Sequence, residues 1–157
     1  MSGDTATLPP AGERYFEDYR AGSVYRSGPV TADRTEMAEF ARLYDPQRFH
    51  LEEGEGGAAP IASGWYTVGL MMRLFVRDFL PTVASLPSPG IDELRWLAPV
   101  RAGDRLMLRL TVLDSRYSRT RPDRGIVRSR AEILNQDDEP VMTMLLTSFI
   151  AARPTTG

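Results

Sequence analysis

The chain has no cysteine and a single histidine, His50. Without a thiol, disulfides, thiolate nucleophiles and zinc–thiolate centres are all excluded, and the redox compartment goes unmarked. One histidine also argues against a zinc site, because such sites draw on several His and Cys ligands. Neither sign of charge dominates: 19 basic residues stand against 21 acidic ones, a formal net charge of -2. That balance gives no reason to expect nucleic acid or a membrane surface as a partner. The longest apolar stretch, Ile61 to Leu80, is interrupted by Arg73, Arg77 and Asp78, so it reads as a core helix and not as a membrane span. The opening residues, Met1 to Gly12, are small and polar and lack the apolar centre of a secretory signal. Residues 1–14 are therefore expected to form a flexible tail, and the protein is expected to be cytoplasmic.

What is present is an ordinary globular composition. The 157 residues are 42% hydrophobic and 25% charged, enough to bury one core. Residues 15–153 are expected to form one domain, with no internal repeat. Val24 to Val30 reads as a strand, and Pro29 marks it as an edge or irregular one. Asp33-Arg34-Thr35-Glu36 fits a capping box, and Met37, Phe40, Ala41 and Tyr44 follow at helical spacing. Pro46 disfavours a helical conformation at Asp45 and ends that helix. From Pro60 or Ser63 to about Leu80 a second helix is apolar nearly all round, which predicts that it is surrounded on most sides. Pro87-Ser88-Pro89-Gly90 reads as a loop. Beyond it, alternating runs at Leu106–Val112, Val127–Ile133 and Val141–Ala151 predict strands, with a hairpin turn at Asn135–Glu139. The last strand is apolar on both sides, and a partner subunit is one way to cover the second. One enclosed helix followed by antiparallel strands predicts an α+β fold, a sheet wrapped around a helix.

The chemistry-bearing stretch is Asp45-Pro46-Gln47-Arg48-Phe49-His50, followed by a glutamate- and glycine-rich segment and then Ile61-Ala62-Ser63-Gly64-Trp65. An aspartate at a helix exit, a histidine five positions on and a glycine opening the next helix form the layout of an acid/base site beside a helix N-terminus. The glycines Gly54, Gly56 and Gly57 do not read as a phosphate cradle, because no strand precedes them and Glu52, Glu53 and Glu55 repel phosphate. Arg116, Arg119, Arg121 and Arg124 surround Pro122-Asp123 and read as a solvated hairpin tip.

With these residues in order, the chain resembles the MaoC-like family of (R)-specific enoyl-CoA hydratases and acyl dehydratases. The shared pattern is Asp45 and His50 at the family's spacing, Phe49 before the histidine, Ile61-Ala62-Ser63-Gly64 at the helix start, and Leu94-Arg95-Trp96-Leu97-Ala98-Pro99-Val100-Arg101-Ala102-Gly103-Asp104 farther on. The resemblance implies a hotdog fold with Asp45 and His50 as the acid/base pair and the Gly64 amide as oxyanion donor. Arg48, Ser63 and Trp65 are the expected substrate contacts. It further implies an acyl-CoA substrate, coenzyme A entering only as part of that substrate, no metal or other cofactor, and a homodimer or dimer of dimers. Departures are equally plain. Pro46 comes early, Gln47-Arg48 replace the family's Asn-Pro, and Ser63 stands where the family has a histidine before the glycine. Two rival readings of the same fold are a thioesterase and a non-catalytic acyl-CoA-binding subunit. The first usually places a carboxylate on or next to the central helix, and Ile61 to Phe75 contains none.

Overall fold

Alternating apolar and polar side chains make long strands once each has a neighbour to bond. In the computed structural model, which describes residues 5–156, five strands form one antiparallel sheet. They are β1 (Val24–Thr31), β2 (Ser85–Trp96), β3 (Arg105–Tyr117), β4 (Arg124–Leu134) and β5 (Pro140–Ala151), in the order β1-β3-β4-β5-β2. Leu106, Leu108, Leu110 and Val112 of β3, with Val127, Ala131 and Ile133 of β4 and Met142 and Met144 of β5, are buried. Against them lies the helix α3 (Gly64–Asp78), whose Tyr66, Leu70, Met71, Leu74 and Phe75 enter the same core.

As expected from Pro29, β1 is an edge strand with a break in register between Ser27 and Val30. The Pro87–Gly90 stretch is not a loop. It lies inside β2, the other edge, where pairing skips from Leu86↔Phe149 to Gly90↔Thr147. An edge strand tolerates proline because the missing N–H can face away from the ladder, and the Ser88 hydroxyl donates to the Thr147 carbonyl at 2.6 Å across the irregularity.

The helix α3 is also less enclosed than its composition predicts. One side is buried, but Trp65, Met72 and Val76 are each about half exposed. Within one chain the sheet covers a single side, so an all-round apolar helix keeps an open one. Helix α1 (Arg34–Tyr44) starts on Asp33, whose carboxylate accepts from the Glu36 amide at 2.9 Å. The reciprocal half of the predicted capping box is replaced. Tyr66 of α3 donates from its hydroxyl to Glu36 Oε2 at 2.9 Å and accepts from the Asp33 amide at 3.3 Å. Burial, and then the bond to Glu36, push this phenol up to about 12, so it remains protonated at neutral pH and ties α1 to α3.

The first four residues of the expected tail lie outside the described residues. Residues 5–14 run along the body: the Ala6 amide donates to Val24, Thr82 donates to Ala11, and Arg14 Nη1 donates to the Asp78 carbonyl at 2.8 Å. Leu8 packs on the core. No helix of the described residues is long and apolar enough to cross a membrane.

Candidate active site

The site is built where two helices end and a third begins. Pro46 stops α1 at Asp45, which adopts φ -152 as the C-cap. The chain restarts at once as the four-residue α2 (Arg48–Leu51), and this second turn carries His50 back toward Asp45. His50 Nε2 lies 3.0 Å from Asp45 Oδ2. On its other side, His50 Nδ1 lies 2.8 Å from the Ile61 carbonyl oxygen. A carbonyl only accepts, so Nδ1 carries a proton and donates it. The exchangeable position of the ring is therefore Nε2, facing the aspartate.

Asp45 accepts on both carboxylate oxygens. Gln47 Nε2 donates to Oδ1 at 2.6 Å, and the Ser63 hydroxyl donates to Oδ2 at 2.7 Å. These bonds, Gln47 first and Ser63 second, hold the carboxyl below its ordinary range against the opposing effect of desolvation. Asp45 is thus ionised at neutral pH. Ser63 is fully buried, and its hydroxyl also caps α3 by accepting from the Trp65 amide at 3.3 Å. One oxygen therefore couples the helix N-terminus to the aspartate.

Gly64 opens α3, and its amide N–H has no acceptor among the described residues. A Cβ built at this position would lie 2.2 Å from Trp96 Cε2, so the indole of Trp96 rests on the bare Cα and only glycine admits it. Trp96 meets Trp65 edge-on with ring centroids 5.3 Å apart. Between these groups lies a cavity of about 300 Å³, lined among others by Asp45, Gln47, His50, Gly64, Trp65 and Trp96.

Asp45, His50, Gly64 and Trp65 are thus brought together on one cavity wall. Ser63 sits behind that wall, in contact with Asp45 and not with the cavity. Arg48 is directed away: its side chain is 88% exposed and pairs with Glu52 at 3.1 Å, one turn farther along the chain. Gln47 and Trp96 also line the cavity, and neither was singled out as a site residue from the sequence. Gln47 registered only as a departure from the family pattern, and Trp96 only as a member of the matched segment Leu94–Asp104. Arg116, Arg121 and Arg124 pair with Asp114 and Asp123 at the β3–β4 hairpin, away from the cavity. Among the described residues no three His, Asp or Glu side chains form a group that could hold a metal ion.

Residues 20–132 match a family model described as a MaoC like domain. The mesaconyl-CoA hydratase of Cereibacter sphaeroides is 29% identical over 147 residues, 90% of this chain and 42% of that protein, so the chain spans less than half of that relative's length. A crystal structure of the MaoC-like dehydratase from Rhodospirillum rubrum is 34% identical, with a TM-score of 0.81, covering 90% of this chain and 99% of the other. A conserved hypothetical protein from Mycobacterium tuberculosis with a double hotdog fold is 19% identical, with a TM-score of 0.78, covering 95% of this chain and 47% of that one. At that identity the likeness concerns the fold, and the five-stranded sheet with its packed helix is a hotdog.

Proposed function

The chain belongs to the MaoC-like domain family, and from that premise we propose that it is a cytoplasmic acyl-CoA hydratase or dehydratase, adding water reversibly across the C2–C3 double bond of a trans-2-enoyl-CoA. The observation that carries this reading is the meeting of Asp45, His50 and the unpaired Gly64 amide on one cavity.

Hydration joins a water oxygen to C3 and a proton to C2. Asp45, ionised and held by Gln47 and Ser63, orients the water and draws on its proton. His50 Nε2, fixed by the Nδ1 bond to Ile61, exchanges a proton with the same centre. The proton lost by the water and the proton gained at C2 balance, so the pair ends in its starting state. As C3 is attacked, charge develops on the thioester oxygen. The Gly64 N–H at the positive end of α3 donates to that oxygen with little reorganisation. Trp65 and Trp96 form the wall along which the thioester lies. Coenzyme A takes part only as a portion of the substrate, and the steps above use no metal and no other cofactor.

The open side of α3 supports a homodimer or a dimer of dimers. Trp65 and Trp96 at the cavity and Met72 and Val76 farther along α3 leave large apolar side chains exposed, and a second copy of the chain would cover them. Sedimentation at micromolar concentration tests this, and a monomer would refute it.

The reaction is tested by following the loss of enoyl absorbance with a panel of short and branched trans-2-enoyl-CoAs while free thiol is monitored in parallel. Loss of the double bond without thiol supports the hydratase. Thiol release would replace it with a thioesterase, and silence on both with a binding subunit.

A further inference from the structure

His50 borders a second cavity, of about 540 Å³, whose lining shares only that residue with the first. It lies between α1, the segment after α2 and the turn at Arg101–Ala102. Three guanidinium groups reach its rim. Arg34 and Arg42 come from one stripe of α1 with Ala38 between them, at i, i+4 and i+8, and Arg101 comes from the turn after β2. Glu53 is the one carboxylate of the lining, so three arginines against one glutamate leave a local charge of +2. The whole chain carries -2, so this surface is opposite in sign to the molecule.

The arginines here are also uncommitted. Elsewhere Arg109 is held by Glu132 at 2.9 Å, Arg124 by Asp123 at 3.0 Å and Arg153 by Asp18 at 3.0 Å. Among the described residues neither Arg34 nor Arg42 has a carboxylate within ion-pair distance, and Arg101 spends one Nη on the Ala59 carbonyl at 3.0 Å. Asp104, the nearest acid in sequence to Arg101, is occupied by the Arg101 backbone amide at 2.9 Å and by Gln136 at 3.2 Å. Beneath the guanidinium groups the floor is apolar: Met37, Leu51, Pro60 and Ala102. Free guanidinium forks over an apolar floor suit a ligand with an oxyanion at one end and a carbon body at the other. The volume falls within the range of small-ligand sites, roughly 300–1,000 Å³.

We propose that this cavity is an oxyanion subsite for the acyl-CoA substrate, in which Arg34, Arg42 and Arg101 hold a charged group remote from the reacting carbons. This rests on the acyl-CoA reading above. Two parts of such a substrate carry the required chemistry, the phosphates of the coenzyme and a carboxylate on the acyl group. The subsite adds binding and orientation, and no proton moves there.

The test is calorimetric titration of the full chain and of Arg42→Gln/Arg101→Gln with coenzyme A, pantetheine, butyryl-CoA and succinyl-CoA. Both substituted side chains are exposed, and thermal melts of the two proteins should coincide within a few degrees. If the subsite takes the phosphates, Kd for coenzyme A rises about tenfold or more in the variant while pantetheine is unaffected. If it takes an acyl carboxylate, coenzyme A and butyryl-CoA keep their Kd and only succinyl-CoA weakens. Equal affinities of both proteins for every ligand, or no binding of any coenzyme A species by the unaltered chain, would overturn the proposal. Arg34→Gln, from a different turn of α1, repeats the test if the double variant melts early. Enoyl hydration is measured separately. Arginine-dependent binding without hydration removes the proposed reaction and keeps the subsite, and hydration with arginine-independent binding does the reverse.

Discussion

Asp45 and Arg48 are three positions apart in the chain, and the fold treats them in opposite ways. The Asp45 side chain is 18% exposed and contacts Gln47, Ser63 and His50. The Arg48 side chain is 88% exposed and meets only Glu52, itself 58% exposed. The inner side of this segment is a closed network in which each polar group fixes the next. The outer side is a solvated ion pair of the kind worth about 0–1 kcal/mol. Charge alone does not make a site. What separates the two sides is whether other elements of the fold supply partners that hold a group in one geometry.

The largest effect should come from removing the member of the inner network that nothing can replace. His50→Ala takes away the only imidazole in the chain, and with enoyl-CoA as substrate kcat/KM should fall by about a hundredfold to ten-thousandfold. Sedimentation and melting should show a folded protein. A rate within threefold of the original would refute the acid/base role of this residue.

Next is Gly64→Ala. The added Cβ meets the Trp96 indole at 2.2 Å, so the ring must leave its place on the helix start. Overpacking of this kind costs about 1–3 kcal/mol, read as a lowered melting temperature. Trp96→Ala in the same chain should restore most of the lost stability, because the three atoms nearest the added Cβ all belong to the Trp96 indole. If Gly64→Ala melts unchanged, the indole is easily displaced and does not form a fixed wall of the cavity.

Much of this is legible in the sequence itself, for a physical reason. Strand alternation in β3, β4 and β5 and the helix stop at Pro46 are local effects, set by neighbours within a few residues. That Asp45, His50 and Gly64 would come together was readable from their spacing and from the family resemblance, and they line one cavity. What escaped reading depends on distant parts of the chain. Trp96 reaches Gly64 from the end of β2, and Tyr66 enters the cap of α1 from α3. The prolines at 87 and 89 signal a break, yet they sit in an edge strand, and whether a strand is an edge is a property of the sheet. The half-exposed outer side of α3 escaped for the same reason, since composition cannot say how many neighbours one chain supplies.

Ser63→Ala probes a subtler part of the inner network. Losing the cap should cost about 1 kcal/mol of stability. The more telling readout is pH. The folded Asp45 carboxyl titrates below its ordinary value, so its ionisation contributes stability above the unfolded value of about 3.9 and loses it as pH falls through the lower folded value. Without the Ser63 hydroxyl the folded value moves up toward the ordinary one. The acid limb of the kcat/KM profile should then shift to higher pH, and the acid-side loss of stability, which still starts near the unfolded value, should be smaller and be complete at higher pH. Ser63→Thr, which keeps a hydroxyl, should restore the profile. An acid limb that stays in place in Ser63→Ala would assign this serine to the helix cap alone.

Arg48→Ala closes the comparison from its outer side. Because the guanidinium is exposed and its one ion-pair partner among the described residues is Glu52, the residue that caps the same short helix, truncation should change stability by less than about 0.5 kcal/mol. Within a single chain its side chain stays clear of the 300 Å³ cavity, so kcat and KM should remain within about twofold of the original, the scatter expected of a surface substitution. A tenfold rise in KM would mean that a second copy of the chain, or the bound thioester, brings this arginine into contact with substrate. The division between an inner, chemical side and an outer, solvated one would then hold only for the isolated subunit. A fall in kcat at unchanged KM would instead mean that the Arg48–Glu52 pair sets the pitch of α2, and with it the angle at which His50 faces Asp45.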